Sequence, residues 1–386
     1  MLAQKGVASR AIPTRFLNNP VASFSTETGL QKSKYPFLAI CANEPQKFAL
    51  AKHISKYWDP NYPQPHPILY TKEDFMTNRP TWETPENEPS FNLDNFFSKL
   101  HTHYMGRNLL YSHELTSTQS ILKDNFRNFQ SGLMCVADKQ TAGKGRSKNK
   151  WDSPYGCLMF SYKTYITEQS DLPLLQYLVT LVMCNSLEAV YNTGEMNIGI
   201  KWPNDIYYNH KQKIGGIICQ STHNGRAFDV TIGVGINISN NRPTTCMDEI
   251  ASQLQHHKVV LGRSNVLASF CNQFVEAIKT FRMYGFEPFI EDYMDMWLHT
   301  DEVVTVVNDE DETQKRQAMI RGISPETGML LAEFDNGEKV ELFPDTHSLN
   351  LMDKLLYKKK WSVCCNKEDT GLPRPASSGL PDCRCS

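Results

Sequence analysis

Between residues 106 and 240 the chain is divided into apolar runs of strand length, set against one long stretch of helical periodicity. That alternation limits the fold more than any other feature. The short runs fall at 108–111 (NLLY), 133–137 (LMCVA), 156–165 (GCLMFSYKTY), 198–208, 214–220 and 229–238. Short apolar runs bounded by turn residues read as strands. Residues 172–191 instead space apolar side chains three and four apart and end in Asn192-Thr193-Gly194, which predicts a helix with a glycine stop. Asn224-Gly225 joins the last two runs as a hairpin turn signal. Residues 264–297 read as helical with an interruption near Gly285 and Pro288.

The flanks differ in character. Runs at 303–307, 318–323, 329–334 and 339–343 alternate with turn residues, including Asp335-Asn336-Gly337, and suit a small β-barrel of SH3-like size. Ahead of the central region, 36–41 (PFLAIC) suits a strand, whereas 57–89 is rich in Pro, Asn, Asp and Glu and reads as irregular connection. Residues 1–35 read as unstructured. Lys5, Arg10 and Arg15 precede the first acidic residue, Glu27, a composition shared by mitochondrial transit peptides and plain disordered starts. From Trp361 onward the sequence is polar, rich in Pro, Gly and Ser, and aperiodic. No internal repeat is present.

A formal net charge of −2 supplies no global field for nucleic acid or an anionic membrane. No apolar run reaches the roughly 18 residues that cross a bilayer, so a soluble protein is expected. Cys41, Cys135, Cys157, Cys184, Cys219, Cys246 and Cys271 have no metal-ligand spacing, and several sit in apolar runs. Buried thiols in a reducing compartment account for them better than disulfides do. Cys364, Cys365, Cys383 and Cys385 lie in the aperiodic tail without a partner pair at a familiar spacing.

Four stretches carry chemistry. Residues 140–151, QTAGKGRSKNKW, alternate glycine with Lys144, Arg146, Lys148 and Lys150. Glycine lets backbone approach phosphate and the cations neutralise it, yet a solvated basic loop has the same composition. The glycine spacing is neither a P-loop nor a dinucleotide fingerprint. Trp151 beside such a loop suits stacking on a base. In 201–205, KWPND, Pro203 and Asn204 place Asp205 at a strand end or bulge. There it is either a ligand for Mg²⁺ or a ribose hydroxyl, or a turn former. Lys213 beside Gly215 and Gly216 puts an ammonium at the edge of an apolar strand, where an activated carboxylate or α-phosphate, or merely solvent, would meet it. Gly233-Val234-Gly235-Ile236-Asn237 allows close approach and also suits plain sheet packing.

In this order, with Thr116-Ser117-Thr118 ahead of them, the four stretches resemble the catalytic domain of biotin protein ligases, and specifically the eukaryotic holocarboxylase synthetases. The resemblance covers about 106–355; residues 40–105 are only loosely similar to those enzymes' N-terminal extension. It implies an α+β fold: a class II aminoacyl-tRNA synthetase-like mixed sheet with helices, followed by the SH3-like barrel. The resulting division is 1–35, an N-terminal extension at 36–105, a catalytic domain at 106–300, the barrel at 301–356 and a disordered tail at 357–386. No winged helix precedes the catalytic domain, so a DNA-binding repressor role is not expected.

The resemblance also implies the reaction. Biotin's carboxylate attacks the α-phosphorus of ATP, with Mg²⁺, and a lysine of a carboxylase's biotin-carrier domain then takes the biotinyl group. Lys213 and Arg146 are assigned the charge at the α-phosphate, and Asp205 the support of metal or adenylate. Ser117, Thr118, Gln140, Gly143, Lys144, Arg146 and Gly216 are assigned to biotin. Trp151, Asn204, Asn237 and Lys213 are assigned to the nucleotide. Lys144 stands where the family commonly has arginine, which keeps the charge and loses the bidentate fork. No fixed metal site, nucleic-acid partner or membrane is expected. The homodimer stays open, as do cytoplasmic and mitochondrial locations. A lipoate ligase or octanoyltransferase shares the implied fold, and a regulator that only binds biotinyl-adenylate would not need Lys213.

Overall fold

The computed structural model describes residues 35–79, 85–146, 149–192, 196–240, 242–307 and 315–342, with the backbone alone at 347–350 and 355–358. The transit-like start and the cysteine tail from residue 359 lie outside the described residues.

Nine strands build one mixed sheet. They are β1 (Leu38–Cys41), β2 (Ile68–Thr71), β3 (Asn108–Leu115), β4 (Leu133–Gln140), β5 (Cys157–Ile166), β6 (Ile198–Lys201), β7 (Asp205–Tyr208), β8 (Gln212–His223) and β9 (Phe228–Asn237). Their order is β2-β1-β3-β4-β5-β9-β8-β7-β6. The β1–β2 and β3–β4 pairs are parallel, and the other neighbours antiparallel. The apolar run at 198–208 is two strands, because Trp202, Pro203 and Asn204 form the turn between β6 and β7.

Side-chain alternation assigns the two faces. On β5 and β9, Leu158, Phe160, Tyr162, Ile232, Val234 and Ile236 join one apolar core. It is covered by α5 (Asp171–Tyr191) and α7 (Arg263–Tyr284). The Tyr162 ring meets Phe274 at 5.2 Å and Phe160 meets Phe270 at 5.2 Å. Such aromatic pairs add to the gain from burying apolar area. The opposite face carries Met159, Ser161, Gly233, Gly235 and Asn237 in the alternate positions. Over β3 and β4 that face is closed by α1 (Glu44–Tyr57) and α4 (Thr118–Asn125), through Leu50, Ile54, Ile121, Leu122 and Phe126. Over the end of β5, β9 and β8 it is covered by the loop at 141–151 instead of a helix, and the candidate site lies there.

Three expectations are corrected. Residues 57–89 are not plain connection, because β2 and α2 (Lys72–Thr77) fall within them. Asn43 caps α1 by accepting from Gln46 N at 3.0 Å, and Thr71 caps α2 by accepting from Asp74 N at 3.0 Å. The 36–105 extension therefore supplies two strands to the main sheet. The tail does not begin at 357, since β15 (Leu355–Lys358) runs past it. Finally, α5 is long and apolar enough for a membrane span by length and composition: 21 residues with a window hydropathy of 1.3. Its apolar residues are absorbed by the core between the sheet and α7, with 72% of that window buried. The thiols fit their expectation: Cys41, Cys135, Cys157, Cys184, Cys246 and Cys271 are buried and outside any disulfide, and Cys219, also in no disulfide, is partly buried.

The extension is tied to the core at one buried carboxylate. Asp138 of β4 accepts from Phe91 N at 2.8 Å and from Tyr111 Oη at 2.6 Å, and pairs with His113 Nδ1 at 2.6 Å and Arg263 Nη1 at 2.9 Å. Arg263 Nη2 also donates to Pro89 O at 2.6 Å. Burial first, then the Asp138 charge, pushes the Tyr111 phenol well above its ordinary pKa.

Past residue 300, β10 (Val303–Val307), β11 (Lys315–Ile323), β12 (Leu330–Phe334), β13 (Lys339–Leu342), β14 (His347–Asn350) and β15 form a small second sheet in the order β13-β12-β11-β10-β15-β14. Two hydrogen-bonded links bind its ends to Trp202. The Trp202 N–H donates to His299 Nε2 at 3.1 Å, and His299 Nδ1 meets Glu302 Oε2 at 2.7 Å. That network assigns the proton to Nδ1. Trp202 Nε1 donates to Tyr177 Oη at 2.9 Å, which donates to Gly328 O at 2.7 Å.

Candidate active site

The four stretches singled out in the sequence meet on the loop-covered face. The register of β7 and β8 explains how Lys213 reaches it. Asp205 pairs with Gly216 and Ile206 with Gly215, but Tyr207 pairs with Lys213, so Ile214 is the extra residue of a bulge. Residues three apart normally face opposite sides of a strand. The bulge restores Lys213 to the face of Gly216 and Asp205. There Lys213 Nζ pairs with Asp205 Oδ1 at 2.8 Å, the two side chains being 34% and 20% exposed. Thr244 Oγ1 donates to Lys213 O at 2.7 Å and anchors the backbone behind it.

Glycines form the floor. Gly216 pairs with Gly235 across β8 and β9. A Cβ at Gly235 would stand 2.5 Å from Trp151 Nε1, so the indole rests directly on the strand backbone. Lys213 Nζ lies 5.3 Å from the centre of the same indole, within cation–π range. A Cβ at Gly143 would stand 2.4 Å from both Ser153 Oγ and Trp151 O. The loop folds back on itself there: Trp151 N donates to Gly143 O at 3.0 Å, Gly145 N to Asn149 O at 2.8 Å, and Lys144 bridges Lys150. Ser147 and Lys148 lie outside the described residues. Arg146 leaves the loop tip and donates to Asn204 Oδ1 at 3.1 Å. Asn204 is fixed in turn by donating its amide to Ile217 O, and its own carbonyl accepts from Ile217 N at 2.9 Å.

Of the residues assigned to biotin, Ser117, Thr118 and Gln140 form the other end of the groove, while Gly216 and Arg146 lie at the Lys213 end. Gln140 Oε1 accepts from Thr118 N at 2.8 Å and Thr118 Oγ1 at 3.1 Å, while Gln140 Nε2 donates to Ser153 Oγ at 3.0 Å. Thr118 Oγ1 also meets Ser161 Oγ at 2.9 Å. Ser117 caps α4, accepting from Ser120 N at 3.4 Å. This end offers polar hydrogen-bonding groups and no carboxylate, which suits a neutral polar ring. The Lys213–Arg146 end offers two cations, which suits an anion.

Two assigned residues sit differently from the rest. Lys144 is exposed and contributes its backbone bridge to the loop. Asn237 turns its amide away from the groove: Nδ2 donates to Thr244 Oγ1 at 3.1 Å and Thr245 O at 3.2 Å, and Oδ1 accepts from Asn240 at 2.8 Å. It holds the 240–245 turn beneath Lys213. Sequence reasoning missed Ser153, Ser161 and Thr244; Ser161 alone had a signal, as the small polar position within an apolar strand. Lys201, opposite Asp205 in register, is pushed below its ordinary pKa by burial, with Asp205 opposing the shift and Lys213 adding to it. Among the described residues no group of three His, Cys, Asp or Glu could hold a metal ion.

The links to Trp202 predict a remote effect. His299→Leu leaves the Trp202 N–H buried without an acceptor, at about 1–3 kcal/mol of stability. The strain falls on the turn that carries Asn204 and Asp205. Melting temperature should fall by several degrees and amide exchange should quicken in the turn at 202–205, as calorimetry and hydrogen exchange would read. Exchange quickened equally throughout the sheet would place the effect in general loosening.

The biotin/lipoate A/B protein ligase family matches residues 111–237. Among curated proteins, the chain is 35% identical to biotin–protein ligase 1, chloroplastic, of Arabidopsis thaliana over 71% of this chain and 75% of that one. It is 36% identical to biotin–protein ligase 2 of the same plant over 71% of this chain and 84% of that one. Among solved structures, a mutant biotin protein ligase from Aquifex aeolicus in complex with biotin aligns at a TM-score of 0.50 and 26% identity, covering 61% of this chain and 95% of that one.

Proposed function

The chain belongs to the biotin protein ligase family, and from that premise we infer that it couples cleavage of ATP to the attachment of biotin to a lysine of an acceptor protein. The observation that carries the site assignment is the glycine-floored groove with hydrogen-bonding groups at one end and two cations at the other. Biotin's ring would lie against Thr118, Gln140 and Ser161, with its carboxylate directed at Lys213. A carboxylate oxygen attacks the α-phosphorus, pyrophosphate leaves, and biotinyl-5′-adenylate forms. The acceptor's ε-amine then attacks the acyl carbon, and AMP leaves with the electron pair of the broken C–O bond.

The chain's own contribution is placement and charge. Lys213, aimed by the bulge and held by Asp205, offsets negative charge where carboxylate and phosphate meet. Arg146, on Asn204, offsets it from the loop side. Trp151 gives the adenine a face to stack on. Mg²⁺ would come as the counter-ion of ATP, where it would offset phosphate charge, and Asp205 would be the carboxylate to hold it. The fold reading extends to a class II synthetase-like core and an SH3-like barrel, supported by the mixed sheet and the small second sheet. The acceptors are the carrier domains of biotin-dependent carboxylases. The acid-free start supports mitochondrial import for part of the protein. Incubating the chain with ATP, carrier domains and either biotin or lipoate tests the reading: label transfer from biotin alone supports it, and transfer from lipoate alone would replace it.

The loop is also a cover. It bends at Gly143 and Gly145 and touches the strands through Arg146 and Trp151, an arrangement suited to closing over a bound anion. Arg146→Gly is therefore expected to release adenylate faster than it slows its formation. Biotin should then appear on bystander proteins that lack an acceptor domain, as streptavidin blots would read. Background labelling with adenylate still being made would remove the lid role.

A further inference from the structure

The loop over the groove is fastened at its base by a side chain of α7, the helix behind the sheet. The two strands that carry the loop separate there. The ladder of β4 and β5 ends where Ala137 faces Met159, and the next bond between the two chains runs from Gln140 N to Ser153 O at 3.1 Å. Between those rungs stand Asp138 and Lys139 on one side and residues 154–158 on the other. So uneven a gap breaks the ladder and lets the chain beyond it bend. What lies beyond it is the 141–151 loop.

Arg263 spans the gap. It is the first residue of α7 and is 4% exposed. Its Nη1 pairs with Asp138 Oδ1 of β4 at 2.9 Å and donates to Cys157 O of β5 at 3.4 Å. Nη2 donates to Pro89 O, in the N-terminal extension, at 2.6 Å. One planar fork thus joins both strands and the extension. The extension holds this junction twice more. Phe91 N donates to Asp138 Oδ1 at 2.8 Å. Asn95 of α3 (Leu93–Lys99) donates to Ser264 Oγ at 2.8 Å and to Asn265 Oδ1 at 2.6 Å, in the first turn of α7. The helix itself gains nothing from the charge. A cation opposes the dipole at a helix N-terminus, and neither an acidic residue nor a capping side chain offsets it in that turn.

The junction adjoins the loop and is remote from Lys213. Asp138 lies two residues ahead of Gln140, and Cys157 follows the return of the loop through Trp151 and Ser153. Lys213 and Asp205 stand on β8 and β7 and do not depend on where the loop is hinged.

We propose that Arg263 is a positioning residue for the loop: by fastening β4, β5 and the extension together at the loop's base, it sets how long biotinyl-5′-adenylate is retained. This rests on the reading of the loop as a cover over the adenylate. Fastening at the base acts on opening, and so on release. Formation draws on the charge of Lys213, which the junction does not carry.

The test separates retention from stability. Labelled adenylate formed on the enzyme is chased with unlabelled adenylate, and pyrophosphate release is followed in a single turnover. Arg263→Lys keeps a charge for Asp138, but one ammonium cannot reproduce the fork's reach to Cys157 O and Pro89 O. It should release adenylate about tenfold faster and form it at close to the wild-type rate. Asn95→Ala leaves Arg263 in place and loosens its helix from the extension. It should quicken release severalfold, and it carries the test where Arg263→Lys fails to fold. Phe274→Leu, a core truncation on the same helix, should lower the melting temperature and leave release unchanged. Wild-type release in Arg263→Lys and Asn95→Ala overturns the proposal. Release that rises with lost melting temperature in all three variants overturns it as well, because retention would then follow stability alone. A wild type that forms adenylate and loses it at once sinks the reading of the loop, and a wild type that forms none sinks the reading of the groove.

Discussion

Lys213→Ala is expected to slow formation of biotinyl-5′-adenylate by a factor on the order of 10² to 10³, equivalent to about 2.7–4 kcal/mol of barrier for a lost, positioned charge. Lys213 is fixed by three independent devices: the bulge at Ile214, the 2.8 Å pair with Asp205 and the Thr244 bond to its carbonyl. It is thus aimed before substrate arrives, and removing it forfeits charge that no flexible neighbour replaces in the same place. Both side chains of the pair are partly exposed, so the freed carboxylate gains water and the fold should survive. Pyrophosphate release in a single turnover, beside an unchanged circular dichroism spectrum, is the measurement. Release near the wild-type rate would remove Lys213 from the chemistry and leave it a structural partner of Asp205.

Asp138→Ala should be the most damaging single change to stability away from the groove. Its carboxylate is fully buried and serves four donors or cations at once. Without it the Arg263 guanidinium, itself 4% exposed, is stranded in the core. Breaking a buried pair by removing one partner costs about 3–5 kcal/mol, which lowers the melting temperature by on the order of 10 °C. The loss should be local in its consequences, because Phe91 and Pro89 both hang from this cluster. Limited proteolysis should cut first within 85–100. A melting temperature within about two or three degrees of wild type would mean that the cluster relaxes or takes up water.

The strands of the central region were legible because their alternation matches the two-faced burial they undergo. The helix at Asp171–Tyr191 was legible because its apolar spacing is long and uninterrupted. The chemistry was legible as motifs, although not as geometry: nothing in Lys-Ile-Gly-Gly announces that Ile214 is skipped in the ladder, and without that skip Lys213 would face the core. Residues 57–89 were misread because β2 and α2 are only four and six residues long and lie among Pro, Asn, Asp and Glu, and α1 gave no clear period because it is half solvated and mixes charged with apolar residues. The cap at Asn43 and the proline beside it were the available signs. Asn237 illustrates the converse: a motif residue whose bonds all close within its own turn. Arg263 carried no sign in sequence, since its meaning depends on which strands it spans.

The place of β1 and β2 at the margin of the main sheet bears on where a minimal enzyme could begin. Cutting at residue 106, where the family motifs start, would strip β1 from β3 and turn an inner strand into an open border. The backbone of Leu109, Leu110 and Tyr111, now matched to Ile40, Ala39 and Leu38, would be left facing water along a strand otherwise almost wholly buried. Such a border invites pairing with any other chain that offers the same. A shortened enzyme of that design would retain every catalytic side chain and fail in the test tube by precipitating, whereas one begun at residue 35 keeps its own border closed.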